Sequence, residues 1–399
     1  MKNRKVPKLR FKEFTEEWEE KRLGTVLTES KIKGDTGEKA KKLTVKLWGK
    51  GVIEKKEITQ GSSITQYYIR KAGQFIYGKL DFLNAAFGII PQELNNYQST
   101  LDSPAFDIDI VKCNSRFLLN RVLQKNFYKK FGDTANGSRK AKRIHTNIFL
   151  DMFMFFPRLP EQQKIADFLS CIDIKISLTE EKLENLKIYK KGIMQKIFSQ
   201  EIRFKDKNGN DYPEWEETKL GDLVEEYIEK TIINNQYQVL SSTATGIYLQ
   251  EEYFNRQIAS SNNIGYKIIK RNHLVLSPQN LWLGNINVNL KYEIGIVSPS
   301  YKIFSILENK VLIEYLKEII KSEQMLYEYK NASEQGASIV RRNLDIEQFY
   351  NIKIVLPILE EQQKIADFLS SIDDKIEKTE KKLNELKEFK KGLLQKMFV

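Results

Sequence analysis

Apolar residues recur at steps of three and four along two stretches of the chain, with Glu and Lys between them. The first carries Ile165, Leu169, Ile172, Ile176, Leu183, Leu186, Ile193 and Ile197; the second carries Ile365, Leu369, Ile372, Ile376, Leu383, Leu386, Leu393 and Met397. This spacing predicts a long amphipathic helix over Glu161–Ser199 and another over Glu361–Val399. Thr179 and Thr379 interrupt the seam at the same point in each. Near the end the seam is expected to shift to Tyr189 and Phe389, because Lys190 and Lys390 hold the next regular position. A repeat near 3.5 residues sustained over this length is a coiled-coil pattern. At 1.5 Å per residue each helix would be about 58 Å long. The other reading is a lone helix packed on its own domain, but a second helix with the same seam lies in the same chain.

The two stretches are copies. They align without a gap at an offset of 200 residues, and about two-thirds of their positions are identical. The duplication extends beyond them. Leu9-Arg10-Phe11-Lys12, Trp18-Glu19-Glu20 and Leu23-Gly24 return as Ile202-Arg203-Phe204-Lys205, Trp215-Glu216-Glu217 and Leu220-Gly221. Residues 205–215, with Asn-Gly, Asp and Pro, read as a turn-rich linker opening the second half. The globular parts diverge more. Strand-and-turn stretches at 43–53 and 239–249 occupy matching places, as do Gln74–Lys79 and Leu274–Gln279. Gly88-Ile89-Ile90 matches Gly295-Ile296-Val297, and Ser103–Phe106 matches Ser298–Tyr301. Helices are expected near 115–131 and 309–328, followed by polar loops at 134–143 and 333–342.

The expected class is mixed α+β, with two α/β domains separated by an antiparallel two-helix coiled coil and related by a pseudo-two-fold internal repeat. The boundaries are 1–157 for the first domain, 158–199 for the first helix, 200–357 for the second domain and 358–399 for the second helix. Chain continuity then puts the domains at opposite ends of one rod.

Charge narrows the partners. A net charge of +12 and a pI near 9.2 favour a polyanion, nucleic acid before membrane. No apolar run has the length of a membrane span, and the basic start lacks the apolar core of a secretory signal. Cys113 and Cys171 do not make a disulfide framework, which fits a reducing cytoplasm, and Cys171 becomes Ser371 in the second copy. His145 and His273 stand alone, so no metal site is expected.

A pseudo-two-fold pair of basic domains on a spacer suits duplex DNA, where half-site centres one turn apart lie roughly 34 Å from each other. Identical domains would read a palindrome; divergent ones read two unrelated half-sites. In the first half the candidate contacts are Ser138, Arg139, Lys140, Lys142 and Arg143 in the basic loop, with Tyr77 and Lys79 at the strand-to-turn site. In the second half they are Gly336, Ser338, Arg341, Arg342 and Asn343, with Ser277, Gln279 and Asn280. Arg can grip guanine O6/N7, Asn and Gln suit the adenine edge, and Lys, Ser and backbone N–H groups can hold phosphates. For each loop the plain alternative is a solvated turn. For Tyr77 and Trp282 it is a place in the core.

The repeated P-x-L-x-E-Q-Q-K-I-A-D-F-L-S segment, with K-K-G and Q-K-(I/M)-F at the helix end, resembles the conserved regions of type I restriction–modification specificity subunits. So does the Trp-Glu-Glu…Leu-Gly opening of each half. One small departure is Arg158-Leu159-Pro160 where the second copy has Ile358-Leu359-Glu360. The resemblance covers the whole chain. It implies a DNA specificity subunit in which each globular region reads half of a split target. It further implies that the paired helices set the spacing and dock two methyltransferase subunits, with restriction/translocase subunits completing the nuclease. Ile174, Leu178 and Ile188 lie off the seam, and their counterparts Asp374, Lys378 and Glu388 are charged. Partner helices packing there would form a four-helix bundle; the alternative is burial against the neighbouring domains.

No catalytic constellation is legible. The chain lacks G-x-x-x-x-G-K-[ST], an Asn/Asp-Pro-Pro-aromatic motif and a Gly-rich cofactor loop, so no enzyme and no cofactor are expected. The carboxylates mostly stand beside Lys on the long helices, as solvated i,i+4 faces do. The rivals are an autonomous nuclease or methyltransferase with an unrecognised site, and a coiled-coil scaffold joining two protein-binding domains without DNA.

Overall fold

The computed structural model describes residues 6–56, 61–132, 143–254, 262–335 and 342–399. It divides into two compact units, Met1–Glu180 with Lys381–Val399, and Glu181–Glu380. Each unit therefore holds one globular region and part of both long helices. Packing cuts across the domain–helix–domain–helix order of the sequence.

In the first unit β1 (Glu19–Arg22) pairs antiparallel with β11 (Phe153–Phe156), so the first and last strands of the region close it. The central sheet runs β2 (Leu27–Ser30), β10 (Ala105–Ile108), β7 (Phe75–Tyr77), β8 (Phe87–Ile89). Beside it lie a sheet of β3 (Lys33–Thr36), β6 (Gln66–Ile69) and β9 (Gln98–Ser99), and a hairpin of β4 (Leu43–Val45) and β5 (Val52–Glu54). Helices α1 (Ser115–Val122), α2 (Lys125–Gly132) and α3 (Thr146–Asp151) precede the long α4 (Leu159–Phe198).

The second unit repeats this plan. β12 (Glu216–Lys219) pairs with β23 (Lys353–Leu356). The central sheet runs β13 (Val224–Glu226), β20 (Lys302–Ile306), β17 (Leu274–Leu276), β18 (Ile286–Val288). Three hairpin-like pairs accompany it: β14 (Leu240–Thr243) with β15 (Gly246–Leu249), β16 (Lys267–Lys270) with β19 (Ile294–Val297), and β21 (Ser333–Gln335) with β22 (Arg342–Leu344). Its helices are α5 (Gln250–Phe254), α6 (Ile313–Ile319), α7 (Glu323–Asn331), α8 (Ile346–Tyr350) and the long α9 (Leu359–Met397). The named strand pairs are antiparallel, so each mixed half is of the α+β kind. No helix among the described residues is long and apolar enough to cross a membrane.

One sequence match needs correcting. Gly88 lies on β8, which pairs with the central strand β7; the strand pairing with β17 is β18, not the Gly295 strand β19. Short Gly-Ile-apolar strings are interchangeable in sequence, whereas pairing partners are not.

Within each unit the segments of the long helices lie antiparallel. Lys390 meets Asp173 at 2.5 Å and Lys387 meets Glu180 at 2.7 Å in the first unit. Lys190 meets Asp373 and Lys187 meets Glu380, both at 2.7 Å, in the second. Each pair is the 200-residue copy of one in the other unit. Ile165, Leu169 and Ile172 share one core with Leu393 and Met397; Ile365, Leu369 and Ile372 share the other with Ile197 and, at its margin, Ile193. Ile176, Leu183, Leu186, Ile376 and Leu386 are half-buried, and Leu383 is buried. Thr179 and Thr379 do not break the seam. Both are buried, and each hydroxyl donates to the carbonyl four residues back, Lys175 or Lys375, at 2.7 Å.

The expected shift to Tyr189 and Phe389 does not occur; both rings are exposed. Lys190 and Lys390 keep the regular position, laying their stems along the seam and carrying their ammonium groups to Asp373 and Asp173. Ile174, Leu178 and Ile188 are exposed, not buried against the globular regions.

Glu161 and Glu361 explain the acid that opens the E-Q-Q-K run of the repeated helix motif. Glu161 is buried and accepts Arg10 Nε and Nη2 at 2.7 Å each and Trp18 Nε1 at 3.3 Å. Glu361 accepts Arg203 Nη2 at 2.9 Å and Trp215 Nε1 at 3.1 Å. Gln162 and Gln362 follow suit, donating to Pro157 and Pro357 carbonyls at 2.9 Å and accepting Asn114 N and Leu312 N at 2.9 Å. Phe11 and Phe204 then stack edge-on against Phe168 and Phe368.

Cys113 lies in the first core, and burial pushes its thiol up to about 12, whereas Cys171 is exposed. A protonated thiol is a poor nucleophile. Iodoacetamide at pH 8 is therefore expected to label native protein once, at Cys171, and twice after denaturation, as intact mass will show.

Candidate nucleic-acid interface

The central strand of each sheet delivers its turn to the same kind of edge. β7 is buried residue by residue and ends where Gly78 N donates to Ala86 O at 2.9 Å. Lys79 follows. Its N–H donates to Asp102 O at 2.8 Å, and its carbonyl accepts Ile144 N at 3.2 Å, from the residue after Arg143. The strand-to-turn site and the end of the basic loop thus meet through a backbone bond. Burial holds the Lys79 ammonium below the usual lysine range, against the nearby Asp102 carboxylate that raises it. Arg143 is exposed and reaches Asp102 at 3.7 Å, a surface contact of little energetic weight. Arg70, fully buried, pins the 100–103 turn that presents Asp102, donating to the carbonyls of Thr100 and Ser103 at 3.3 Å and to Ser99 Oγ at 2.8 Å.

Tyr77 is not at this edge. Its side chain is 0% exposed and its hydroxyl donates to Ile144 O at 2.9 Å. It stacks among Phe82, Phe106 and Phe149, and burial raises the phenol pKa well above its ordinary value. A ring sealed in this core cannot touch a base, so the expectation for Tyr77 is withdrawn.

The second unit repeats the edge in different chemistry. Ser277 N donates to Asn285 O at 3.0 Å, as Gly78 does to Ala86. Gln279 O accepts Arg342 N at 3.3 Å, as Lys79 O accepts Ile144. Asn280 Nδ2 lies 3.5 Å from Ser277 Oγ. Gln279 and Asn343 are exposed; Ser277, Asn280 and Arg342 are half-buried. The Arg342 guanidinium donates to Ser333 O at 3.2 and 2.8 Å and lies 5.9 Å from the Trp282 ring. Part of its fork therefore closes the β21–β22 hairpin. Trp282 is half-buried, with a ring nitrogen that has no hydrogen-bond partner among the described residues. Ser138, Arg139, Lys140, Lys142, Gly336, Ser338 and Arg341 lie outside the described residues.

Sequence reading missed a polar network behind the second edge. Ser242 Oγ donates to Asn285 Oδ1 at 2.8 Å and accepts Asn287 Nδ2 at 2.7 Å, and Asn285 Nδ2 donates to Ser242 O at 3.0 Å. Alternate Asn residues in Asn285-Ile286-Asn287-Val288-Asn289 were the available signal. Lys321, its ammonium pushed down to about 8 by burial, donates to Ala244 O at 3.0 Å and Gly284 O at 2.7 Å, tying the β14–β15 tip to this edge. Among the described residues no His, Cys, Asp and Glu group could hold a metal.

This duplicated architecture is shared by solved proteins. The S subunit of a type I restriction–modification system from M. genitalium superposes with a TM-score of 0.56 at 13% identity, covering 99% of both chains. A structure described for complex assembly and conformational transition of the type I R-M system gives 0.55 at 15% identity, covering 96% of this chain and 97% of that one. These likenesses define the fold. In sequence, residues 191–388 match the type I restriction modification DNA specificity domain. Two curated relatives come from Methanocaldococcus jannaschii. The type I restriction enzyme MjaVIII specificity subunit is 26% identical over 294 residues, 68% of this chain and 66% of that protein. The putative MjaX specificity subunit is 28% identical over 297 residues, 70% of this chain and 65% of that protein. The chain thus spans about two-thirds of the length of these relatives. The stretch matching the specificity domain is just under half of the chain, and the similarities in sequence and in fold all run to type I restriction–modification specificity subunits.

Proposed function

We propose that the protein is the non-catalytic DNA specificity subunit of a type I restriction–modification complex. Residues 1–157 and 200–357 each read one half of a bipartite, asymmetric target in double-stranded DNA. The helices at 158–199 and 358–399 set the spacing and dock two methyltransferase subunits, and restriction/translocase subunits join in the complete assembly, in the cytoplasm. The observation that carries this reading is the paired edge. Matching backbone bonds frame it in both halves: Gly78 N to Ala86 O and Ile144 N to Lys79 O in one, Ser277 N to Asn285 O and Arg342 N to Gln279 O in the other, with Arg143 next to Ile144 and Asn280 next to Gln279. The frame is kept and the reading chemistry differs, as two unrelated half-sites require. Ser138, Arg139, Lys140, Lys142, Ser338, Arg341 and Asn343 are the further candidate contacts by sequence.

Exchanging residues 200–357 for the matching region of another family member tests this. Genome-wide mapping of methylated motifs is expected to change one half-site and keep the other and the spacing; a change in both halves, or in neither, tells against it. In a mobility-shift series the complex is expected to lose affinity by a factor on the order of 10³ between about 50 and 200 mM salt if it neutralises six or more phosphates. Purified chain with Mg²⁺ and S-adenosylmethionine is expected neither to cut nor to methylate.

A further inference from the structure

The β4–β5 hairpin ends in Lys46-Leu47-Trp48-Gly49-Lys50, and its tip carries a large side chain in an unusual setting. Trp48 is 56% exposed and sits at φ 60°, ψ 34°, the left-handed region that bulky residues avoid. Trp18 and Trp215 are buried in the two cores, and Trp282 is half-buried. The tip is nevertheless anchored. Lys46 N donates to Gly51 O at 2.9 Å, and Gly49 N donates to Ala85 O at 3.0 Å. Gly49 packs so closely on Leu123 that a Cβ would lie 2.6 Å from its side chain. The backbone is thus locked on both sides of Trp48 while the ring is held out. A residue kept in a costly conformation, exposed, by a rigid support is the pattern of a functional site.

The location fits. Ala85 and Ala86 belong to the turn whose other side is Gly78, immediately before Lys79. The tip therefore adjoins the edge that holds Lys79, Asp102 and Arg143. Lys46 and Lys50 are exposed on either side of Trp48, and Leu47 beside it is exposed too. An apolar ring flanked by cations, next to a basic edge, matches the two faces of a nucleic acid: bases for the ring, phosphates for the ammonium groups.

We propose that Trp48 is a DNA-contacting residue of the first half, acting as a wedge at a base step, with Lys46 and Lys50 on the flanking phosphates. The inference rests on the proposed function and adds to it. The first half-site is read partly through its ability to unstack, which favours a flexible pyrimidine–purine step under the ring. Among the described residues, the matching tip of the second half carries no such ring. This β14–β15 tip holds Thr243, Ala244, Thr245 and Gly246, and Lys321, standing where Leu123 stands in the first half, clamps Ala244 from below.

The test uses the full chain assembled with its modification subunits and a duplex bearing the mapped target. Cognate DNA is expected to quench the tryptophan emission, and W48F is expected to remove that change while binding within about threefold of wild type. W48A and W48G are expected to weaken cognate binding roughly tenfold, the order found on truncating a base-stacking aromatic. W48G is expected to melt no lower than wild type, since glycine accepts this backbone freely. Binding by W48A and W48G within twofold of wild type, with the quench unchanged, overturns the proposal. So does a loss of modification subunits from the W48A complex without loss of DNA, which would make the tip a protein contact. Wild-type complex that retains no duplex selectively refutes the function itself and the inference with it. Selective binding that ignores Trp48 refutes the inference alone.

Discussion

Replacing Glu361 with alanine is expected to melt the second unit well below the first. The carboxylate is 0% exposed and accepts Arg203 Nη2 at 2.9 Å and Trp215 Nε1 at 3.1 Å. It stands in the first turn of α9, where helix dipole and backbone N–H groups favour an anion. Arg203 and Trp215 come from the start of the second half, so this one side chain ties the entry of the region to the helix that leaves it. Truncation strands a guanidinium and an indole N–H, with costs near 3–5 kcal/mol for breaking a buried pair. Arg203 keeps some solvent, which places the cost towards about 3 kcal/mol. Domains are typically stable by only about 5–15 kcal/mol, so the loss is a large fraction.

Calorimetry of the full chain is expected to show E361A lowering one transition and E161A, with Arg10 and Trp18 as the stranded partners, lowering the other. Glu361→Gln keeps the shape and part of the bonding, so it should fall between. The double variant E361L with R203M removes both charges and should recover much of the loss, because an apolar pair needs no partner. Unchanged transitions in both single alanine variants would leave the motif's repeated acid without a structural role.

That clamp was present in the sequence as letters but not as a bond. Arg10 and Glu161 stand 151 residues apart, and a Glu in a first helical turn reads equally well as a solvated charge. The seam, by contrast, was legible because its partners share one periodicity and the chain contains both copies. Its two misreadings had one cause. Side-chain polarity alone puts Thr179 and Lys190 off the seam, whereas a threonine hydroxyl can bond back to its own helix and a lysine can bury its stem.

The candidate edge was half legible. Lys79 and Ser277–Asn280 follow short apolar runs, and turns after such runs are readable. Tyr77 was misplaced because β7 is covered on both faces, so Phe75, Ile76 and Tyr77 are all buried and no alternation separates inside from outside. Trp48 is not legible as a site because Leu47-Trp48-Gly49 reads as strand and turn; its exposure depends on a backbone angle that no residue pattern encodes. The β8 and β19 confusion has the same source, since pairing is a property of two segments and not of either alone.

Removing the central heptad from both long helices, residues 179–185 and 379–385, is expected to shift the target spacing while preserving both half-sequences. The cut follows from the ion pairs. Asp173 with Lys390 and Lys190 with Asp373 lie outside the deleted segments and survive. Of the inner pairs, Glu180 and Glu380 are lost and their partners Lys387 and Lys187 return to solvent. Those are exposed pairs, worth little each. Seven residues are close to two helical turns, so the seam keeps its face with a drift of about 20°, and Ile176 and Leu186 stay on it. The helices shorten by about 10.5 Å, close to three base pairs at about 3.4 Å each. If the helices are the ruler of the proposed complex, methylated motifs in cells carrying the deletion will show the same two half-sites drawn about three base pairs closer. Three base pairs also rotate one half-site by nearly a third of a turn around the duplex. A complex too stiff to follow will show reduced methylation at the shortened spacing and none at the original. Methylation at the original spacing, undiminished, would mean that something other than helix length fixes the gap.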